Sequence, residues 1–276
     1  MIERTAEELF DIAFEGREKP NRQDLLLKDE MPTYLLKTVD ISKFNVTNPR
    51  GHSITNCTVS FPSNNSQFLK PLIEFDVREP IENCHFYFFR VPNKGSKVKF
   101  AIKGRDHKAV LFSNRHYRMN LYVRLVHHDC YLTVGDAVHI GGGTVALDNS
   151  SLLIGAGALW SDGVLIQGTD SHGIVDLDSM KIINDGHKQI VLQRRVWLGR
   201  QCKVMKNVTI GEGSIVATGA LVTKDFPKAC AVGGVPAKVV KERVTWSRKQ
   251  EVIADWEMDE YQRIRGELDA PTARHG

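Results

Sequence analysis

The residue best suited to chemistry is His172, in the stretch Asp170-Ser171-His172-Gly173. An imidazole titrates near neutral pH, so it can take a proton from a hydroxyl as that oxygen attacks, and then hand the proton on. A histidine base needs its ring held by a second group, and Asp170 and Asp176 flank the motif more closely than Asp185. A backbone carbonyl would serve the same purpose. Trp197 precedes the aliphatic Leu198 and so points the opposite way, out of any core that Leu198 enters. Around it lies a basic cluster of Arg194, Arg195, Arg200, Lys203 and Lys206. No cysteine or serine sits in a nucleophile motif, and the five scattered cysteines form no C-x-x-C pair for zinc.

These residues are positioned by a repeat of six. From Leu192 the sixth positions read Leu192, Leu198, Val204, Ile210, Val216 and Val222. A companion row from Val196 reads Val196, Cys202, Val208, Ser214, Ala220 and Phe226. Upstream, a similar array runs Val134, Ile140, then after a short slip Ile154, Trp160 and Ile166, with the companions Val138, Thr144, Ala158, Val164 and Asp170. An α-helix cannot hold a period of six, and a plain strand repeats at two. A short strand followed by a corner, repeated around a three-sided column, does hold it. The frame would bring residue 172 to an inward slot. Instead it lapses from Asp170 to Gln189, a polar stretch read as an excursion with His172 at its root.

The run from Val196-Trp197-Leu198-Gly199 through Thr223-Lys224-Asp225 to Gly233-Gly234-Val235-Pro236-Ala237-Lys238 resembles the hexapeptide-repeat acyltransferases. The segment Gly168-Thr169-Asp170-Ser171-His172 is similar to their branch that O-acetylates capsular and lipopolysaccharide glycans. The resemblance covers about residues 120–242. It implies a mainly β fold, a left-handed parallel β-helix, as an exception to the usual right-handed crossover. It also implies acetyl-CoA as co-substrate, a glycan acceptor and a homotrimer with sites between protomers. His172 then matches the catalytic base, and Trp197 lines the cleft. Gly199, Arg200, Ala217, Thr218, Thr223, Lys224, Lys238 and Lys241 fall where coenzyme A is held, the lysines toward its phosphates. Arg200 departs from the small polar residue usual at its position. A backbone N–H near Gly199 is the expected oxyanion donor. No metal is expected, because the close His-x4-His pair of the γ-type carbonic anhydrases that share this fold is lacking. The alternatives are an acyltransferase acting on a nucleotide sugar or another small molecule, and a non-catalytic β-helix subunit.

The remaining chain divides into a helical segment over 1–48, a β-rich region over 49–119, the β-helix over 120–240, and a C-terminal helix and tail over 241–276. Thr5 and Glu8 form a capping box for a helix over Arg4 to Phe14, and a second short helix is expected around Leu25 to Lys28. Val98, Phe100 and Ile102 alternate as a strand, but the topology of this region stays open. Apolar residues from Val244 to Ile264 suggest a helix that covers the end of the column. Of 276 residues, 42% are hydrophobic and 25% charged, which excludes a disordered chain. The net charge of +4 is too small for a nucleic-acid binder and favours an anionic small ligand. With no apolar run long enough to span a bilayer and an acidic start, a cytoplasmic enzyme peripheral to capsule assembly is expected.

Overall fold

The computed structural model describes residues 2–27, 31–63, 69–112 and 116–270. Parallel strands stack from Asn45–Thr47 to Cys230–Gly234 in two long ladders. In the last complete turns three short strands follow one another: Lys188–Leu192, Trp197–Leu198 and Lys203–Met205, then Val208–Ile210, Ile215–Val216 and Leu221–Val222. Ile190 lies beside Val208, Trp197 beside Ile215 and Lys203 beside Leu221. Each partner is three hexads further along the chain, so three hexads close one turn. The row from Leu192 to Val222 is fully buried, and its companion row from Val196 to Phe226 is buried with it.

The β-rich stretch over 49–119 is wound in the same sense of pairing, on longer turns. Thr58 lies beside His85, His85 beside Lys108 and Lys108 beside Tyr131, and none of these separations is a whole number of hexads. Each of these turns pairs one long strand (Ile73–Glu82, Lys97–Arg105, Met119–Val126) with a short one (His85–Phe88, Lys108–Leu111, Tyr131–Val134). The strand His139–Asp148 joins the two designs. Its start pairs with Leu159–Trp160, while Gly143–Ala146 pairs with Val164–Gln167. Because that strand runs on without a corner, Thr144 faces outward, and Val145 and Leu147 fill the core in its place. The upstream core is aromatic. Phe75 lies 4.7 Å from Phe86, and Phe86 lies 4.9 Å from Phe100, measured between ring centres.

Helix α1 (Ala6–Ala13) begins with the capping box read from the sequence: Glu8 N donates to Thr5 Oγ1 at 3.2 Å and Thr5 N to Glu8 Oε2 at 2.8 Å. It buries Leu9, Phe10 and Ala13 against Tyr87, Phe89, Val110 and Phe112 on the outside of the upstream turns. Helix α2 (Arg22–Leu25) sits slightly earlier than expected, and Lys28 lies outside the described residues. Its end is tied to a corner of the column, where Asp136 N donates to Leu25 O and Ala156 N to Asp24 O, both at 2.7 Å.

Helix α3 (Asp255–Asp269) runs along a corner and not across the open end. The reason is polar. Arg195 and Glu257 are both buried, 2.9 Å apart, and Trp246 Nε1 donates to Arg195 O at 2.6 Å. A charge pair this deep needs every partner in place, so it fixes where the helix docks. The last ladder strand is instead followed by an antiparallel one, Ala237–Glu242. Residues 271–276 lie outside the described residues.

Candidate active site

The excursion begins after Gly168, whose N–H still donates to Ala146 O at 2.8 Å, and the chain rejoins the ladder at Lys188. Ser151 lies beside Gln189, so this turn takes more than twice the chain of the regular turn that follows it. Within it, Val175–Asp176 and Lys181–Ile182 form a small antiparallel hairpin. The stretch read as polar also carries apolar side chains, and Ile174, Leu177, Met180 and Ile183 all stand exposed, Leu177 to 80%.

His172 stands at the root of this arm. Asp170 pairs with Lys206 and accepts from Asn184 Nδ2 at 2.7 Å. The same amide group donates to His172 O at 2.9 Å, and its oxygen accepts from Ile174 N at 2.8 Å. Asn184 thus pins the backbone that carries the histidine. The Asn184 hydrogen bond, followed by Lys206, holds the Asp170 carboxyl below its ordinary pKa. Asp176 accepts from Ser179 N and Oγ, both at 2.7 Å, and this fixes the hairpin turn and lowers its pKa. Neither carboxylate is bonded to the His172 ring within the chain; each instead accepts other donors through one oxygen. The ring is exposed and has no side-chain partner among the described residues.

Trp197 points outward as its register requires, in a row with Leu159 and Ile215. It is half-buried, 6.0 Å from the ring of Trp246, with Nε1 3.5 Å from Ser161 Oγ. It opens the second strand of its turn, whereas His172 follows the third strand of the turn before, and the two side chains do not meet within one chain.

Gly199 and Arg200 share a corner with Ala217, Thr218 and Gly219 of the next turn, where Gly219 N donates to Arg200 O at 2.9 Å. The Gly199 amide itself is already used, donating to Val216 O at 2.8 Å, so an oxyanion donor near Gly199 has to be a neighbouring N–H. Glycine is required there for another reason: a Cβ would lie 2.6 Å from Val216 O in the adjacent coil. Gly219, at a φ of +70°, faces open space. Among the described residues the backbone N–H groups of Arg200 and Thr218 donate to nothing, so this corner offers two outward donors beside small side chains. That suits the amides of an extended pantetheine arm. Lys238 and Lys241 are exposed on the final strand, opposite Gly233 and Ala231. Thr223 and Lys224 stand at the following corner, with Lys224 Nζ 5.9 Å above the Phe226 ring.

The basic cluster read from the sequence does not form one surface. Arg194 and Arg195 are engaged by Glu212, Glu257 and Glu260, and Lys206 by Asp170, which leaves Arg200 and Lys203 exposed. Asn184 and Trp246 were not singled out for the site. A loop asparagine between Ile183 and Asp185 carries no spacing signal, and Trp246 reads as one more apolar residue after the repeat.

The fold is that of the left-handed parallel β-helix acetyltransferases, and its relatives lie in their capsular O-acetyltransferase branch. The chain is 34% identical over 125 residues to a polysialic acid O-acetyltransferase of Escherichia coli O1:K1, covering 44% of this chain and 40% of that protein. It is 32% identical over 126 residues to a polysialic acid O-acetyltransferase of Neisseria meningitidis, covering 45% of this chain and 58% of that one. The match thus spans about half the length of these relatives. A solved polysialic-acid-specific acetyltransferase aligns over 71% of this chain and 84% of its own, at 26% identity and a TM-score of 0.52. No family model matches the chain.

Proposed function

We propose that this protein moves an acetyl group from acetyl-CoA to a hydroxyl of an acidic bacterial surface glycan. The observation that carries the reading is the long arm, which leaves the column at one place and presents an unpaired imidazole at its root. His172 accepts the hydroxyl proton as the oxygen attacks the thioester carbonyl. The new C–O bond forms and the C–S bond breaks. The proton then passes from the imidazolium to the departing thiolate. Charge developing on the carbonyl oxygen is met by the Arg200 or Thr218 backbone N–H in place of Gly199. Lys224, Lys238 and Lys241 meet the phosphates of the donor.

Because His172 and Trp197 lie on different faces, the complete site is composed from two chains of a homotrimer. The exposed apolar side chains of the arm are the surface that such packing covers. Asp170 acts as a positioning residue through Asn184. The donor is a cytosolic metabolite, which supports a cytoplasmic location. No helix among the described residues is long and apolar enough to cross a membrane.

The test is incubation of the full chain with acetyl-CoA, a thiol reagent and acidic oligosaccharides, followed by mass spectrometry, with light scattering on the same sample. Thiol release that depends on the oligosaccharide, an added acetyl ester and a mass of three chains are expected. Failure to bind acetyl-CoA removes the enzymatic reading, and a monomer removes the composite site.

A further inference from the structure

One outward row of the column changes character along its length. Ile140 N donates to Arg118 O at 2.9 Å, and Met119 lies beside Ile140, so Arg118 lies beside His139. His139 lies beside Leu159, and Leu159 beside Trp197. At a strand spacing of about 4.8 Å, Arg118 stands three rungs, or roughly 14 Å, from the tryptophan. A third basic group reaches this place from the far end of the chain. Arg248 lies with its guanidinium 4.6 Å above the Tyr117 ring, and its Nη2 donates to Ala137 O and Gly157 O, both at 3.4 Å.

The three basic groups have no anion among them. Arg118 and His139 have no carboxylate partner among the described residues. The carboxylate close to Arg248 is that of Glu257, which accepts the Arg248 backbone N–H at 3.3 Å and is committed to the buried Arg195. Burial, followed by the charges of Arg248 and Arg118, depresses the pKa of His139, so the ring stands as a neutral hydrogen-bonding group beside two like-charged arginines. Holding like charges together is unfavourable, and a bound anion relieves it. Arginine forks match carboxylates in two-point contact.

We propose that Arg118, His139 and Arg248 form an anion subsite that takes the carboxylate of an acidic sugar, a short way along the glycan from the hydroxyl at the Trp197 end. Tyr117 supplies the flat apolar edge against which a sugar ring packs. This rests on the acyl-transfer reading for its orientation but is tested without it. A polymer laid along the row is anchored by one sugar's charge while another is presented for reaction. That selects an acidic chain over a neutral one and over a single free sugar.

Fluorescence anisotropy with end-labelled oligosialic acid and oligogalacturonic acid, each beside its carboxyl-reduced form, is the experiment. The full chain is used and no acetyl donor is added, so its outcome is separate from that of any transfer assay. Wild type is expected to bind at least one acidic probe and to lose it on carboxyl reduction. Arg118→Ala, at an exposed position, weakens that binding at least tenfold, and Arg118→Glu abolishes it with the circular dichroism spectrum unchanged. Arg265→Glu, the same charge change on α3 at a side chain that is 80% exposed, binds as wild type does. Equal binding by wild type and Arg118→Glu, or no carboxylate-dependent binding of either probe by wild type, overturns the subsite.

Discussion

The column is built in two ways. Between Ile190 and Leu221 a turn takes three hexads, its inward positions are aliphatic, and its corners stack closely enough to demand glycine at Gly199. Between Thr58 and Tyr131 the turns are longer and are filled by phenylalanine rings. The outer surfaces differ as well. The upstream ladder face carries Lys99 paired with Glu74 and Lys103 paired with Glu79, each at 2.6 Å. The downstream face carries Leu159, Trp197 and Ile215. The lesson is a division of labour. Wide turns have a large apolar filling and a charged exterior, while narrow turns have spare backbone donors and an apolar outer row, the features on which the proposed transfer site rests.

Breaking the upstream half is expected to cost stability and leave the chemistry. Phe86→Ala removes a fully buried ring that touches Phe75 and Phe100, and should destabilise by about 3–5 kcal/mol, read as a lowered denaturation midpoint. Transfer activity below the transition should persist. A variant that keeps its stability and loses activity would break the comparison.

The downstream half is strapped by α3, and its weak point is acid. Burial raises the pKa of Glu257, but hydrogen bonds from Ser247, Arg195 and Tyr261 outweigh this and bring it down to about 2 from 4.5. A depressed carboxylate stabilises the fold above its unfolded pKa and loses that contribution as pH falls through the folded value. Stability on the order of 3 kcal/mol should therefore be present above about pH 4.5 and vanish toward pH 2. Denaturation curves for Glu257→Gln should be flatter than those of wild type across this window. Identical pH profiles would mean that the strap does not depend on this pair.

The sequence showed the narrow turns and hid the wide ones for one reason. A row at every sixth position survives only if each turn is a whole number of hexads. Between His85 and Lys108 it is not, and the frame is lost although Phe86, Phe100 and Val123 point inward as regularly as Leu198 and Val216. The excursion that carries His172 was legible because the frame fails from Asp170 to Gln189. The orientation of the His172 ring was not, because Asp170 and Asp176 are near in sequence yet are held by Lys206, Asn184 and Ser179. The engaged amide of Gly199 was invisible for a similar reason, since a coil's hydrogen bonds go to the next turn and not to sequence neighbours.

The most direct test of the account is single-turnover acetyl transfer by His172→Ala beside wild type, with coenzyme A affinity measured on both proteins. The account predicts a loss of about 10²–10⁴-fold in the transfer rate with coenzyme A bound equally well. A variant that transfers acetyl groups within a few-fold of wild type would contradict it.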